Sequence, residues 1–368
     1  MSAPLVLHVF ATFTAAGPQL RVCRLIEAFG PAFRHAIVAA DGKDDARALL
    51  PADADVTLLE PPGSIGGHRR LLREVRPDLL LTYNWGSFDA VLAARTVRGV
   101  RHVHHEDGFN RDEAERQKRR RVWARRLALR GCDRVVVCSR TLETIARATW
   151  NLPSARVRWI PNGVEVERFR GGDGAAFRTA LGIPPEATVV GSVGHLRPVK
   201  NLSRLLRAAH GLAAPVTVLL VGDGSERTAL ERQARENPPT GGTVVFAGHR
   251  DDLRDAYAAM DLFCLSSDSE QHPVALLEAM AAGVPAVATA VGDVPHVLGE
   301  EAAARAVPLG DGDDAAALGR ALDAVLALDR SDRDSLVAAQ TRRVEARYGF
   351  DAMVRAYRAL YDEVLDRE

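Results

Sequence analysis

The chain has 368 residues, with 48 Lys and Arg against 48 Asp and Glu, 47% hydrophobic and 26% charged. That length predicts two domains with substantial cores, and those fractions exclude disorder, collagen-like repeats and coiled coil. The formal net charge of zero argues against a dedicated nucleic-acid binder, but the balance is uneven: residues 1–170 carry a net +9 and the remainder −9.

The apolar opening, residues 3–17, lacks a positive n-region and has His8 in its middle, so it reads as a buried strand rather than a signal peptide. Strands are expected at 5–10, 34–39, 56–59, 79–83, 100–104 and 135–138. Helical periodicity covers 19–29, 87–97 and 115–130. Ile160-Pro-Asn-Gly-Val164 closes this half, and Gly171-Gly-Asp-Gly174 reads as a flexible linker. The pattern then restarts, with strands expected at 189–193, 216–221, 244–246, 262–265, 286–288 and 306–309. Helices are expected at 202–210, 226–235, 253–260, 274–282 and 315–328, and an amphipathic tail covers 350–365. Apolar strands alternating with helices indicate two parallel, doubly wound α/β domains. No run approaches the roughly 20 apolar residues of a membrane span. Cys23, Cys132, Cys138 and Cys264 show no C-x-x-C spacing, which predicts free thiols, no zinc site and a reduced cytoplasmic setting.

In open α/β sheets ligands bind beyond the carboxyl ends of strands. The strongest chemical signal lies there, in Ser266-Ser-Asp-Ser-Glu270-Gln-His-Pro273-Val-Ala-Leu-Leu-Glu278. A polar loop runs into a helix with Pro273 at its first position. The amides of Val274, Ala275 and Leu276, with the helix dipole, make an anion site suited to a diphosphate. Glu270 and Glu278 are up to roughly 12 Å apart along such a helix, too far to share a proton and suited to gripping two ends of a long ligand. A second loop, Gly194-His-Leu-Arg197-Pro-Val-Lys200-Asn, carries two cations that can neutralise charge building on a leaving diphosphate. Lys200 is one of three lysines against 45 arginines.

These motifs resemble the family-4 type of retaining glycosyltransferase. The resemblance rests on Arg197-Pro-Val-Lys200, on Glu270 with Glu278, and on Ile160-Pro-Asn-Gly-Val164. It extends through Val221-Gly-Asp-Gly224, Phe246-Ala-Gly248 and Arg347-Tyr-Gly-Phe350. It implies the GT-B fold: two facing Rossmann-like domains, an acceptor-side domain over 1–168 and a donor domain over 169–349, with a helix over 350–368 crossing back to the first. It implies that Arg197 and Lys200 hold the diphosphate of a UDP- or GDP-sugar. Glu270 would contact the transferred sugar and Glu278 the ribose, while His249 and Arg250 would flank the base. Ala16-Gly17-Pro18 stands in the family's glycine-rich first loop, where Pro18 removes one amide. In Val103-His104-His105-Glu106, either His104 or His105 would face the sugar.

The implied function is transfer to a glycan or lipid-linked acceptor in cell-surface polysaccharide synthesis, without cofactor or essential metal. A nucleotide-sugar epimerase of the same fold and a catalytically silent sugar-nucleotide binder are the rivals. Asp53-Ala-Asp55 and Asp311-Gly-Asp313 read as coincidental D-x-D patterns. Arg227 replaces the third glycine of a dinucleotide fingerprint in Gly222-Asp-Gly224-Ser-Glu-Arg227, which argues against NAD. The basic helix expected from Glu115 to Arg130, with Trp123, either lies on anionic lipid at the inner face of the plasma membrane or turns its apolar residues into the domain core.

Overall fold

The computed structural model describes residues 3–109, 113, 117–310 and 314–366. They form two compact units: 1–162 together with 353–368, and 163–352.

The first unit holds β1 (Leu5–Phe10), β2 (Arg34–Ala39), β3 (Val56–Leu59), β4 (Leu79–Tyr83), β5 (His102–Glu106), β6 (Arg134–Val137) and β7 (Val157–Trp159). They pair in parallel in the order β3-β2-β1-β4-β5-β6-β7. Because side chains alternate across a strand, Leu7, Val9, Ala36, Val38 and Leu80 fill one core. The opposite face carries aromatic and imidazole rings. His8 stacks on Tyr83, Tyr83 on His105, and His105 on Tyr357. Tyr361 meets Phe29 and Phe33 edge-on. Tyr357 and Tyr361 belong to the helix Phe350–Leu365, whose buried residues Met353, Tyr357, Leu360, Tyr361 and Val364 follow helical spacing.

The second unit holds β8 (Val189–Val193), β9 (Thr217–Val221), β10 (Thr243–Gly248), β11 (Leu262–Leu265), β12 (Ala286–Thr289) and β13 (Ala306–Val307), parallel in the order β10-β9-β8-β11-β12-β13. Phe263 and Leu265 enter one core while Leu262 and Cys264 enter the other, so uninterrupted apolar strands are buried on both faces. All four cysteines are buried free thiols. Among the described residues no helix is long and apolar enough to cross a membrane.

Several expectations need correction. Residues 163–168 belong to the second unit: Val164 and Val166 lie in its core, and the Val164 amide donates to the Tyr348 carbonyl. The expected flexible linker is a packed corner. A Cβ on Gly172 or Gly174 would strike the Arg254 or Ala258 carbonyl oxygen at 2.5 and 2.2 Å, and Asp173 caps the helix Gly174–Ala180. The fifth strand runs over His102–Glu106 rather than 100–104, so both candidate histidines lie within it. Strand β7 and the helix Arg330–Tyr348 were not expected. That helix buries only Gln340, Val344 and Tyr348, too thin a stripe for apolar periodicity to register. The basic helix is described from Arg119 to Ala128, so its expected start at Glu115 and Arg116 lies outside the described residues, as do Asp311 and Asp313.

Both sheets reverse their direction of winding once, between β1 and β4 and between β8 and β11. At such a point two neighbouring loops leave in opposite directions and a crevice opens beyond the carboxyl ends. The loops carrying Lys200 and Glu270 follow β8 and β11.

Burial makes the first unit acid-sensitive. It holds His35 at about 4 and His102 and His105 at about 3, and pushes His8 and His104 well below the usual 6.5. Unfolded histidines take up protons as pH falls through about 6.5 and folded ones do not, so their stabilisation is full above that pH and lost towards 4. Glu106 opposes this: burial raises it to about 7 against the pull of Arg125, so its contribution fades as pH rises from about 4.5 to 7. Five imidazoles outweigh one carboxyl. The urea midpoint is expected to fall on acidification from about pH 7.5 to about pH 5.5, less steeply in His35→Gln; a flat profile would contradict the assignment.

Candidate active site

The loop after β8 approaches its neighbour closely. Gly222 has φ +133°, and a Cβ there would lie 2.1 Å from the Gly194 carbonyl oxygen. The Gly194 amide donates to the Val221 carbonyl and the Leu196 amide to the Asp223 carbonyl, at 2.9 and 3.0 Å. Val221-Gly-Asp-Gly224 is therefore a rest for the loop that carries Arg197 and Lys200. Arg197 is exposed and has no side-chain partner among the described residues. Asn201 ends the loop in the left-handed region at φ 39° and caps the helix Leu202–His210 through the Arg204 amide.

The loop after β11 is fastened to the first. The buried Arg204 donates to the Ser266 carbonyl and to Asp268 Oδ1, both at 2.7 Å. Ser266 Oγ donates at 3.1 Å to the Lys200 and Asn201 carbonyls. Glu270 is thereby brought to Lys200: Nζ lies 2.5 Å from Oε1, which also accepts from Ser267 Oγ at 2.7 Å. Behind it, Gly292 adopts φ +53°, and a Cβ there would lie 1.8 Å from the Glu270 carbonyl oxygen. A shallow depression beside Lys200 is lined by residues including Gly194, His195 and Ser267.

The helix following Glu270 spans Val274–Ala281. Pro273 is its N-cap rather than its first residue, and offers no side-chain hydrogen bond. The amides of Val274, Ala275 and Leu276 have no acceptor among the described residues, the expected state of a helix start. Glu278, one turn in, accepts from Tyr257 Oη at 2.8 Å. Burial, and then the Glu278 carboxylate, hold that phenol well above its usual 10, so it donates as a neutral hydroxyl. His249 and Arg250 follow β10 and are exposed. His249 lies 3.3 Å from Asp251, and Arg250 sits 5.6 Å from the Phe177 ring centre.

In the first unit, Gly17 opens the helix Gly17–Phe29, and nothing lies within 4 Å of where its Cβ would stand. Both candidate histidines lie within the shifted fifth strand and are buried. His104 Nδ1 lies 2.8 Å from Thr82 Oγ1, while its buried Nε2 has no hydrogen-bond partner. His105 is stacked between Tyr83 and Tyr357. The first residue beyond the strand is Asp107, which Arg21 grips through two bonds of 2.6 and 2.9 Å while also donating to Asn162. Arg21, Arg204, Tyr257 and Gly292 escaped the sequence reading, since their partners lie 18 to 141 positions away or act through backbone.

Residues 13–168 match Glycosyltransferase Family 4, and residues 187–327 match Glycosyl transferases group 1. The chain belongs to the family-4-type glycosyltransferases. Its relatives include the D-inositol 3-phosphate glycosyltransferase of Saccharomonospora viridis, 31% identical over 64% of this chain and 60% of that protein. Another is the enzyme of the same name from Mycobacterium sp. (strain KMS), 34% identical over 44% of this chain and 38% of that protein. The match thus spans less than two thirds of these relatives' length. Solved GT-B structures share the fold. Anabaena Alr3699/HepE in complex with UDP and glucose superimposes with a TM-score of 0.82 at 20% identity, covering 98% of this chain and 100% of that one. Sucrose-phosphate synthase from Thermosynechococcus elongatus gives 0.81 at 22% identity, covering 98% and 99%.

Gly292→Ala is expected to push the Glu270 backbone out of place while leaving the sheet intact. Hydrogen exchange of the amides in the loop 266–273 should quicken at least about tenfold, with little change in far-ultraviolet circular dichroism. Unchanged exchange would show that the 292 contact does not set the loop.

Proposed function

We propose that this family-4-type chain transfers a sugar, with retention of anomeric configuration, from a nucleoside diphosphate sugar to an acceptor hydroxyl. The observation that carries the reading is the Lys200–Glu270 pair, in loops that also carry Arg197, which has no side-chain partner among the described residues, and the open amide end of the helix Val274–Ala281. Without ligand the two side chains neutralise each other. An arriving diphosphate offers Lys200 a doubly charged partner, which leaves Glu270, still held by Ser267, free to accept from a sugar hydroxyl.

In the proposed reaction the acceptor oxygen attacks the anomeric carbon on the face the diphosphate leaves. The bond from that carbon to the diphosphate breaks, and the leaving phosphate oxygen takes the acceptor proton. Arg197, Lys200 and the helix amides oppose the negative charge that builds on the leaving group. Glu278, oriented by Tyr257, holds the ribose, and His249 and Arg250 flank the base. The cations meeting the diphosphate in this reading belong to the protein, so no metal ion is assigned a role. His104 and His105 act through packing that sets the end of β5 and presents Asp107.

UDP is the first donor base to test, since structures of the same fold hold UDP with glucose. For the acceptor, a glycan or lipid-linked sugar of polysaccharide assembly is the reading drawn from the motifs. The named relatives favour a second, a phosphorylated cyclic polyol such as D-inositol 3-phosphate.

Release of UDP or GDP from a panel of sugar donors should require one of these acceptors. Lys200→Met and Glu270→Gln should each lower kcat by about 10² to 10³ without loss of fold by circular dichroism. Full transfer by Glu270→Gln, or acceptor-independent binding without turnover, would overturn the reading.

A further inference from the structure

One surface lies outside the proposed donor site and differs from an ordinary solvated face. On the helix Arg119–Ala128, Trp123 and Leu127 are 57% and 63% exposed, more than any other large apolar residue described. Their spacing of four places them one above the other on one side of the helix. Arg119 and Arg120 stand one turn before Trp123 on that side, exposed and without partners among the described residues. The Arg126 guanidinium lies 5.1 Å from the Trp123 ring centre, and Arg130 is exposed beyond Leu127.

The inward side of the helix prevents this stripe from turning into the core. Arg125 is 1% exposed and is bonded to Glu106 at 3.1 Å and Glu113 at 3.3 Å. It lies 5.1 to 5.4 Å from the ring centres of Trp85, Phe109 and Trp150. Rotating the helix to hide Trp123 would break this buried ion cluster, which costs several kcal/mol. Trp123 and Leu127 are therefore held outward.

We propose that Arg119, Arg120, Trp123 and Leu127 form a docking face for an anionic lipid surface. The cations complement acidic headgroups, and the net +9 of residues 1–170 adds long-range attraction. The Trp–Leu pair matches the acyl boundary, where an indole ring and an aliphatic side chain are both buried. A nucleic acid would neutralise the arginines but give Leu127 nothing to pack against, so lipid is the occupant the stripe favours. The proposal is independent of the transfer reaction, because none of these residues lies in the site proposed for it.

The full chain is incubated with sedimentable vesicles of phosphatidylcholine alone or with phosphatidylglycerol. Binding is expected only to the mixed vesicles, declining as salt is raised to about 0.5 M. Arg119→Ser with Arg120→Ser should weaken the partition about thirtyfold, and Trp123→Ser with Leu127→Ser at least about tenfold. All four side chains are exposed, so melting temperature and transfer to a water-soluble acceptor should not change; the single variant Arg120→Ser serves if a double variant misfolds. Equal binding to neutral vesicles, wild-type partition by either double variant, or no vesicle binding would overturn the proposal. So would an RNA affinity that depends on Arg119 and Arg120 in the absence of vesicle binding, or a dimer that depends on Trp123 in lipid-free solution.

Discussion

The reversal of winding in each parallel sheet is the constraint on which the other features depend. Parallel strands send all their carboxyl ends to one rim, and right-handed crossovers bury both faces under helices. Chemistry is thereby confined to that rim, and close approach of two loops is confined to the place where winding changes direction. In the second unit this place lies between β8 and β11. Lys200 and Glu270, seventy residues apart, meet there as a consequence of strand order.

Strand order brings the loops near, and buried guanidinium groups fix them. Arg204 ties the loop after β11 to the start of the helix that follows β8. Arg21 ties the loops after β5 and β7 to the first helix. A planar fork with five donors can reach several acceptors at once, so each arginine sets relative positions that two or three separate bonds would otherwise be needed to hold. Such positioning matters because electrostatic stabilisation of a leaving group falls off steeply when donors are misplaced.

Most of the fold was legible from short apolar runs. Strands β1, β2, β3, β4, β8 and β11 have the expected boundaries, and polar or turn residues flank β3, β4, β8 and β11 on both sides. The fifth strand was misplaced by two residues because His105 and Glu106, beyond its expected end, look polar. They are buried against Tyr357 and Arg125, which arrive from elsewhere in the chain. The motifs carrying Arg197, Lys200, Glu270 and Glu278 could be read locally, since each is a short run of neighbouring residues in the sequence. Their supports could not be, because a glycine backed against a carbonyl, as at Gly292, leaves no chemical trace in composition. The basic helix turns Val122 and Leu129 towards the core and leaves Trp123 and Leu127 exposed, a division fixed by the burial of Arg125 among three aromatic rings and two carboxylates that helical periodicity does not encode.

The first unit is discontinuous, closed by residues 353–368 after the whole of 163–352. During synthesis the aromatic face of its sheet, with His8, Tyr83 and His105, therefore emerges long before Tyr357 and Tyr361 exist to cover it. At roughly 5–20 residues per second, the intervening stretch takes about 10 to 40 s to translate. The second unit has no such wait, being contiguous. Cover for that ring-lined surface thus waits on the last residues of the first unit, while every residue of the second unit is made before them.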